Sequence, residues 1–292
     1  MLSVLIPTYN YNAFILVKSI HKQLVLERIS FEIICFDDGS NSSINLKNRE
    51  INTLSNATFT AFKKNVGRSA IRNLLAEKAT FNWLLFLDAD VLPIKTNFIR
   101  NYSKYFNSDK TVFCGGIKYE HLPKNKKYLR YKYGKKNEEI SLKKRTENPS
   151  KYFFTSNFLI QKEVFLKIKF EEKLVDYGRE DLLFSLDLIK QGYKIKQIAN
   201  EVYHLGIDDN TLFIKKTKKA MKNLIFLEKS NLINPDNLQL LKLINKISKF
   251  KSLRVVAFLQ PFFENSAKNK SSVFFLNCMK VSYLCQLKLK DE

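Results

Sequence analysis

The stretch Trp83-Leu84-Leu85-Phe86-Leu87-Asp88-Ala89-Asp90 joins five consecutive apolar residues directly to two carboxylates one residue apart. An unbroken apolar run of that length reads as a strand buried on both faces, and the acids after it mark its carboxyl end. Three earlier runs repeat the pattern: Ser3–Pro7 (SVLIP), Phe31–Phe36 (FEIICF) and Ala57–Phe62 (ATFTAF). Between them lie helical patterns, Phe14–Leu26 and Arg68–Ala79, the second with Ile71, Leu74 and Leu75 at i, i+3 and i+4. Continuous apolar strands separated by helices predict a mostly parallel sheet covered on both faces, an α/β fold whose ligands bind at the carboxyl ends of the strands.

Each of the four runs ends in a polar cluster. They are Thr8-Tyr9-Asn10, Asp37-Asp38-Gly39-Ser40, Lys63-Lys64-Asn65 and Asp88-Ala89-Asp90. Any one of these could be a helix N-cap or a turn, where Asp, Asn, Ser and Thr are favoured anyway. Four in succession point to one polar rim.

Further along, Thr111–Tyr119, Tyr152–Gln161 and residues 193 to 205 (YKIKQIANEVYHL) read as strands, with a helix from Lys162 and an amphipathic helix over 180–191 stopped by Gly192. From residue 210 the chain reads as helical and basic. Its apolar patches are Val255–Phe263 and Val273–Cys285.

The chain has 292 residues and a formal net charge of +22, with 50 Lys+Arg against 28 Asp+Glu. At 45% hydrophobic residues it reads as folded, and only 8 Gly and 6 Pro exclude collagen-like or linker compositions. The charge is unevenly placed. Residues 118–151 hold 12 Lys/Arg and 4 Asp/Glu, residues 210–292 hold 16 and 5, and the rest of the chain is close to neutral. The expected organisation is an α/β core over 1–209, interrupted by a basic insert over 118–151, and a basic helical extension over 210–292 that associates with membrane.

Four scattered cysteines, Cys35, Cys114, Cys278 and Cys285, include no C-x-x-C pair and read as free thiols of a reducing compartment. The start MLSVLIPTYN lacks a basic region followed by a long apolar one, and no stretch reaches the ~20 apolar residues of a spanning helix. The expected location is the cytoplasm, with peripheral attachment to the inner face of the plasma membrane.

Asp88 and Asp90 at a strand end can hold a hard divalent cation, which prefers oxygen ligands and leaves positions for water and substrate phosphates. Asp38, in the neighbouring turn, suits the base or ribose of a nucleotide, or it caps a helix. Glu180 and Asp181 open the helix over 180–191. Acids are favoured there by the helix dipole, and one of the pair can also serve as a general base. His204, after the last strand of the core, is either a structural histidine or a nitrogen ligand completing a carboxylate metal site. The insert interleaves its cations with Tyr119, Tyr128, Tyr131 and Tyr133, a mixture that can meet phosphate and bases, anionic lipid, or only solvent.

Taken in order, IPTYN (Ile6–Asn10), FDDGS (Phe36–Ser40), NVGRSAIRN (Asn65–Asn73), FLDAD (Phe86–Asp90), SNFLIQKEVF (Ser156–Phe165), YGREDLLFSLDLIKQG (Tyr177–Gly192) and VYHLG (Val202–Gly206) resemble the family 2 glycosyltransferases of GT-A fold. The resemblance covers roughly residues 1–209. It implies inverting transfer of a hexosyl or N-acetylhexosaminyl group from a nucleotide sugar, a UDP-sugar first, to a glycan or lipid-linked glycan in surface polysaccharide biosynthesis, with Mn²⁺ or Mg²⁺ as cofactor. Position by position, it implies that Thr8 and Tyr9 line the nucleotide pocket and that Asp38 contacts base or ribose. Arg68 and Arg72 would lie near the nucleotide, Asp88 would face ribose or metal, Asp90 would be the principal metal ligand and His204 a further one. Asp181 would be the general base and Glu180 an acceptor contact.

The partners so implied are donor, acceptor and an anionic membrane surface, with no nucleic acid expected. The competing reading is a nucleic-acid- or anionic-lipid-binding protein on a catalytically silent GT-A scaffold. Where many relatives carry G-G-N, this chain has Thr155-Ser156-Asn157, a departure on the acceptor side.

Overall fold

The four apolar runs form strands β1 (Leu2–Thr8), β2 (Phe31–Asp37), β3 (Ala57–Ala61) and β4 (Trp83–Leu87); β1 pairs in parallel with β2 and with β4, and β2 with β3. In chain order there follow β5 (Val91–Pro93), β6 (Thr111–Cys114), β7 (Ile117–Lys118), β8 (Asn157–Gln161), β9 (Lys194–Gln197) and β10 (Val202–His204). The computed structural model describes residues 1–174, 176–249 and 252–290; residues 250, 251, 291 and 292 of the expected extension lie outside them. Seven strands make one sheet in the order β3-β2-β1-β4-β8-β6-β9, with β8 antiparallel to both its neighbours. A small sheet, β5-β10-β7, stands beyond the end of β4.

Alternate residues of the central strands enter two separate cores, as the period of two requires. Val4, Ile6, Ile33, Cys35, Leu85 and Leu87 pack with Leu16, Val17, Ile20 and Leu24 of the helix Phe14–Glu27. On the other face, Leu5, Ile34, Phe36, Leu84 and Phe86 pack with residues of the helices Arg68–Lys78, Lys162–Ile168 and Glu180–Lys190. There Phe86 stacks on Phe158 at 4.7 Å and on Phe165 at 4.9 Å. Truncating such a buried ring costs about 3–5 kcal/mol. The strand end carrying Asp88 is thus pinned two residues upstream.

Two expected strands are each broken in two. Thr111–Tyr119 divides at Gly115-Gly116 into β6 and β7, and residues 193–205 divide at 198–201 into β9 and β10, each half joining a different sheet. One side chain occupies both breaks. The guanidinium of Arg145, fully buried, donates to the carbonyls of Cys114 (3.4 Å) and Ile198 (3.1 Å) and to Gln197 Oε1 (2.7 Å), and pairs with Glu201 at 3.2 Å. Gly116 has φ +84°, and a Cβ there would lie 2.5 Å from Arg145 Cζ, so the bend has room only for glycine. The expected strand over Tyr152–Gln161 is likewise shorter, beginning at Asn157.

The chain divides into two compact units. One comprises Met1–Glu120, Asn137–Val175 and Glu180–Gly206; the other His121–Lys136, Asp176–Arg179 and Ile207–Glu292. The expected basic insert is therefore not one appendage. Its second half belongs to the first unit and supplies the buried Arg145. Its first half belongs to the second unit, where Leu129 packs with Phe213, Ile214, Ala267, Leu276 and Met279. Nor do its four tyrosines form a surface platform: Tyr119 and Tyr131 are buried, and Tyr133 packs against Phe213 with ring centroids 5.5 Å apart.

The second unit is helical, with its longest helices at Asn210–Lys229 and Val273–Leu289. Among the described residues no helix is long and apolar enough to cross a membrane. All four cysteines are free, and burial raises the thiol of Cys285 to about 11.

Candidate active site

Parallel pairing of β1, β2 and β4 brings their polar ends to one rim, Thr8 standing opposite Asp37 in register. Thr8 is buried and its hydroxyl donates to the Tyr11 carbonyl at 3.1 Å, which ties down the turn after β1; Tyr9 projects outward and is exposed. Asp38 accepts from the backbone N–H groups of Val66 (2.7 Å) and Gly67 (3.1 Å), at the start of the helix Arg68–Lys78. It thereby fastens the end of β2 to that helix. Burial pushes its carboxyl above the usual range, against the pull of those two N–H groups.

Arg72 organises the next layer. It is 2% exposed, one amino group lies 2.7 Å from Asp88 Oδ1 and the other 3.6 Å from Glu180 Oε1. Arg68, one turn earlier on the same helix and partly exposed, reaches Glu180 at 3.9 Å. Burial alone would raise the Asp88 carboxyl, but the charges of Arg72 and Arg68, with the hydrogen bond from Arg72, hold it below the ordinary carboxylate range. One guanidinium thus joins the carboxyl end of β4 to the first residue of the helix Glu180–Lys190. Asp181 follows in that first turn, where its Oδ1 accepts from the Leu182 N–H at 2.7 Å.

Asp90 has different neighbours. β10 runs antiparallel to β5 with His204 opposite Val91, and this register carries the imidazole to the residue before Val91. His204 Nε2 lies 3.6 Å from Asp90 Oδ2, and the Leu205 N–H donates to the Asp90 carbonyl at 2.8 Å. A Cβ on Gly206 would come within 2.1 Å of Asp90 Oδ2, so glycine is what lets this segment close on the carboxylate. Tyr119 stacks on the imidazole, centroids 5.5 Å apart and planes at 24°. Burial and the charge of Asp90 together raise the phenol of Tyr11.

The candidate residues therefore sort into two groups. Arg68, Arg72, Asp88 and Glu180 form one ion-paired cluster, and Asp90 and His204 form a second, near enough that the charge of His204 also helps to lower the Asp88 carboxyl. The expected three-ligand set of Asp88, Asp90 and His204 is not assembled: Asp88 is engaged by Arg72, and among the described residues no three His, Cys, Asp or Glu side chains converge as metal ligands. Sequence reading passed over Tyr11, though the polar run after β1 extends to it, and placed Tyr119 with the insert. Asp37, expected at the rim but given no role there, has its Oδ2 accepting from Asn45 at 3.0 Å while its buried Oδ1 has no partner among the described residues. Asn157 in the T-S-N variant is a brace, accepting from the Tyr102 hydroxyl (2.6 Å) and donating to the carbonyls of Gly116 and Asn200 (3.0 and 2.9 Å).

The sequence matches the family model described as glycosyl transferase family 2 over residues 3–169. No curated protein gives a significant match. Among solved structures the chain is similar to residues 1–349 of S. aureus TarS in complex with UDP-GlcNAc, at 17% identity and TM-score 0.50, covering 98% of this chain and 91% of that one. It is similar to the mannosyltransferase PcManGT from Pyrobaculum calidifontis in complex with GDP-Man and Mn²⁺, at 14% identity and TM-score 0.52, covering 99% and 86%. A third, GalNAc-T7 with UDP, GalNAc and Mn²⁺, gives 18% identity and TM-score 0.51 over 71% of this chain and 43% of that one. The chain also spans only 39% of the longer TarS chain. At these identities the three structures bear out the fold, a mixed, mostly parallel sheet flanked by helices. With the family model matching more than half of its length and the strand-end acids brought to one rim, the chain belongs to glycosyl transferase family 2.

Proposed function

We propose that this protein is an inverting, metal-dependent glycosyltransferase that moves a sugar from a nucleotide diphosphate sugar, a UDP-sugar first, to a hydroxyl of a glycan or lipid-linked glycan. The observation that carries the reading is the bridge made by Arg72, which holds Asp88 and Glu180 on one guanidinium while Asp90 turns to His204. The donor class is supported by the solved neighbours, which hold UDP, UDP-GlcNAc or GDP-Man. Two of them hold Mn²⁺.

A carboxylate oxygen and an imidazole nitrogen already close together are a fitting donor pair for Mn²⁺ or Mg²⁺, and two protein donors leave room for water and diphosphate oxygens. Asp90 and His204 would hold the cation, which when bound neutralises the charge that develops on the leaving diphosphate. The remaining work belongs to the chain. Thr8 and Tyr9 border the nucleotide, and Asp38 holds the turn against which its base and ribose rest. Arg68, partly exposed, turns a cation toward the phosphates. Asp181 accepts the proton of the acceptor hydroxyl, whose oxygen bonds to the anomeric carbon as the bond to the diphosphate oxygen breaks, and this single displacement inverts the centre. Glu180, fixed by Arg72 and Arg68, orients the acceptor.

Purified protein incubated with a panel of nucleotide sugars, with and without Mn²⁺, tests the reading. Metal-dependent release of nucleoside diphosphate from one donor, with an inverted product linkage, is the expected result. Retention of configuration, or no turnover of any donor with glycan and lipid-linked acceptors present, would remove it.

A further inference from the structure

The second unit carries 24 Lys/Arg against 8 Asp/Glu, so most of the chain's net charge of +22 lies in this smaller unit. It also carries an exposed apolar stripe. Val255, Phe258, Leu259 and Phe262 follow one another at i, i+3, i+4 and i+7 along the abutting helices Leu253–Phe258 and Gln260–Lys270, and all four are exposed, Phe258 by 83%. The opposite side of the same helices is packed, with Leu253, Ala257, Gln260 and Ala267 buried. Exposed Phe274, at the start of the helix Val273–Leu289, extends the stripe: its ring meets Phe275 at 5.4 Å, and Phe275 meets Phe262 at 6.2 Å.

The rim is cationic. Arg254, one turn before Phe258, and Lys270, whose Nζ lies 5.3 Å from the Phe275 ring, are exposed. Between residues 252 and 290 the sequence has one acid, Glu264, and Lys218 already engages it at 3.0 Å. Contiguous exposed apolar surface with a polar rim marks an interaction site. Three of its members are aromatic and its border is positive, which is the composition that lies in the headgroup region of an anionic bilayer. No described helix can span a bilayer, so the mode is in-plane contact. A second copy of the chain fits less well, because it would bring two cationic rims together.

We propose that the Val255–Phe262 stripe with Phe274 and its Arg254 and Lys270 border is a docking surface for an anionic phospholipid membrane. Phe258, Phe262 and Phe274 enter the headgroup boundary while the cations meet lipid phosphates. The inference stands apart from the transfer reaction, since it uses none of the residues assigned to it.

Vesicle co-sedimentation of the full chain tests it, with phosphatidylcholine alone against phosphatidylcholine containing about one third phosphatidylglycerol. Binding is expected only to the anionic vesicles, falling as salt rises. The double variant Phe258→Ser/Phe262→Ser should bind at least about tenfold more weakly, and Arg254→Gln/Lys270→Gln weaker by about fivefold per cation removed. All four positions are exposed, so circular dichroism melting should be unchanged. Phe258→Trp should show blue-shifted emission on anionic vesicles, against the constant background of buried Trp83. Absence of vesicle binding by the unmodified chain, or equal binding by the Phe variant, would overturn the proposal. So would a dimer in sedimentation velocity that the Phe variant abolishes, since a second copy would then own the surface.

Discussion

Asp88 and Asp90 are two residues apart and have opposite circumstances. Asp88 is held by the buried guanidinium of Arg72 at 2.7 Å, its carboxyl pulled below the usual range, and through Arg72 it is tied to Glu180. Asp90 has an imidazole 3.6 Å away with Tyr119 stacked on that imidazole, a glycine making room beside it, and a charge that acts on the phenol of Tyr11. A charge already compensated inside the protein serves architecture. One placed beside a nitrogen donor is where a cation and its phosphates can be received. The D-x-D pattern alone treats the two acids as equivalent; the register of β10 against β5 and the reach of Arg72 make them different.

The largest effect should come from the helix that Arg72 anchors. Asp181→Asn is expected to lower kcat by about 10²–10⁴-fold while leaving donor binding nearly unchanged; a rate within a fewfold of the parent would remove Asp181 from the chemistry. Arg72→Ala leaves two carboxylates without their shared cation and should cost about 3–5 kcal/mol in urea unfolding. Arg72→Lys should recover only part of that, because an ammonium cannot bridge two carboxylates as a planar fork does. A variant as stable as the parent would mean that Asp88 and Glu180 do not depend on the bridge.

On the other side of the comparison, His204→Ala should raise the Mn²⁺ concentration needed for half-maximal turnover by about 10–100-fold. Rate at saturating metal should mostly return. An unchanged metal requirement would leave Asp90 without its partner donor. The smallest effect is a pH dependence. Because the folded-state carboxyl of Asp88 lies below its unfolded value, its contribution to stability is complete above about pH 4 and is lost as pH falls through the lowered value. Thermal melts of Asp88→Asn should therefore show a shallower loss of stability over that acid range than the parent; parallel curves would show that Arg72 does not hold the group down.

Much of the fold was legible because it rests on local pattern. The runs before Thr8, Asp37, Lys63 and Asp88 form the expected strands, and the helices over 14–27, 68–78 and 180–190 lie within a residue or two of their predicted bounds. The broken strands after Cys114 and Gln197 were not legible, because the breaks are fastened by Arg145, a distant residue in a stretch whose composition reads as solvated. The site divides in the same way. Its acids could be picked out by their place at strand ends. Which acid is paired and which is presented depended on Arg72, His204 and Tyr119, whose reach comes from tertiary structure, and on Tyr11, whose exposure pattern no spacing conveys. The family match itself ends at residue 169, before Glu180, Asp181 and His204.

The unequal roles of Asp88 and Asp90 are tested most directly by Mn²⁺ binding in the presence of UDP, followed by the loss of the free-ion electron paramagnetic resonance signal, in Asp90→Asn and Asp88→Asn proteins that melt cooperatively. The distinction predicts that Asp90→Asn abolishes nucleotide-dependent Mn²⁺ uptake while Asp88→Asn retains it. Uptake retained without Asp90, or lost equally from both variants, would contradict it.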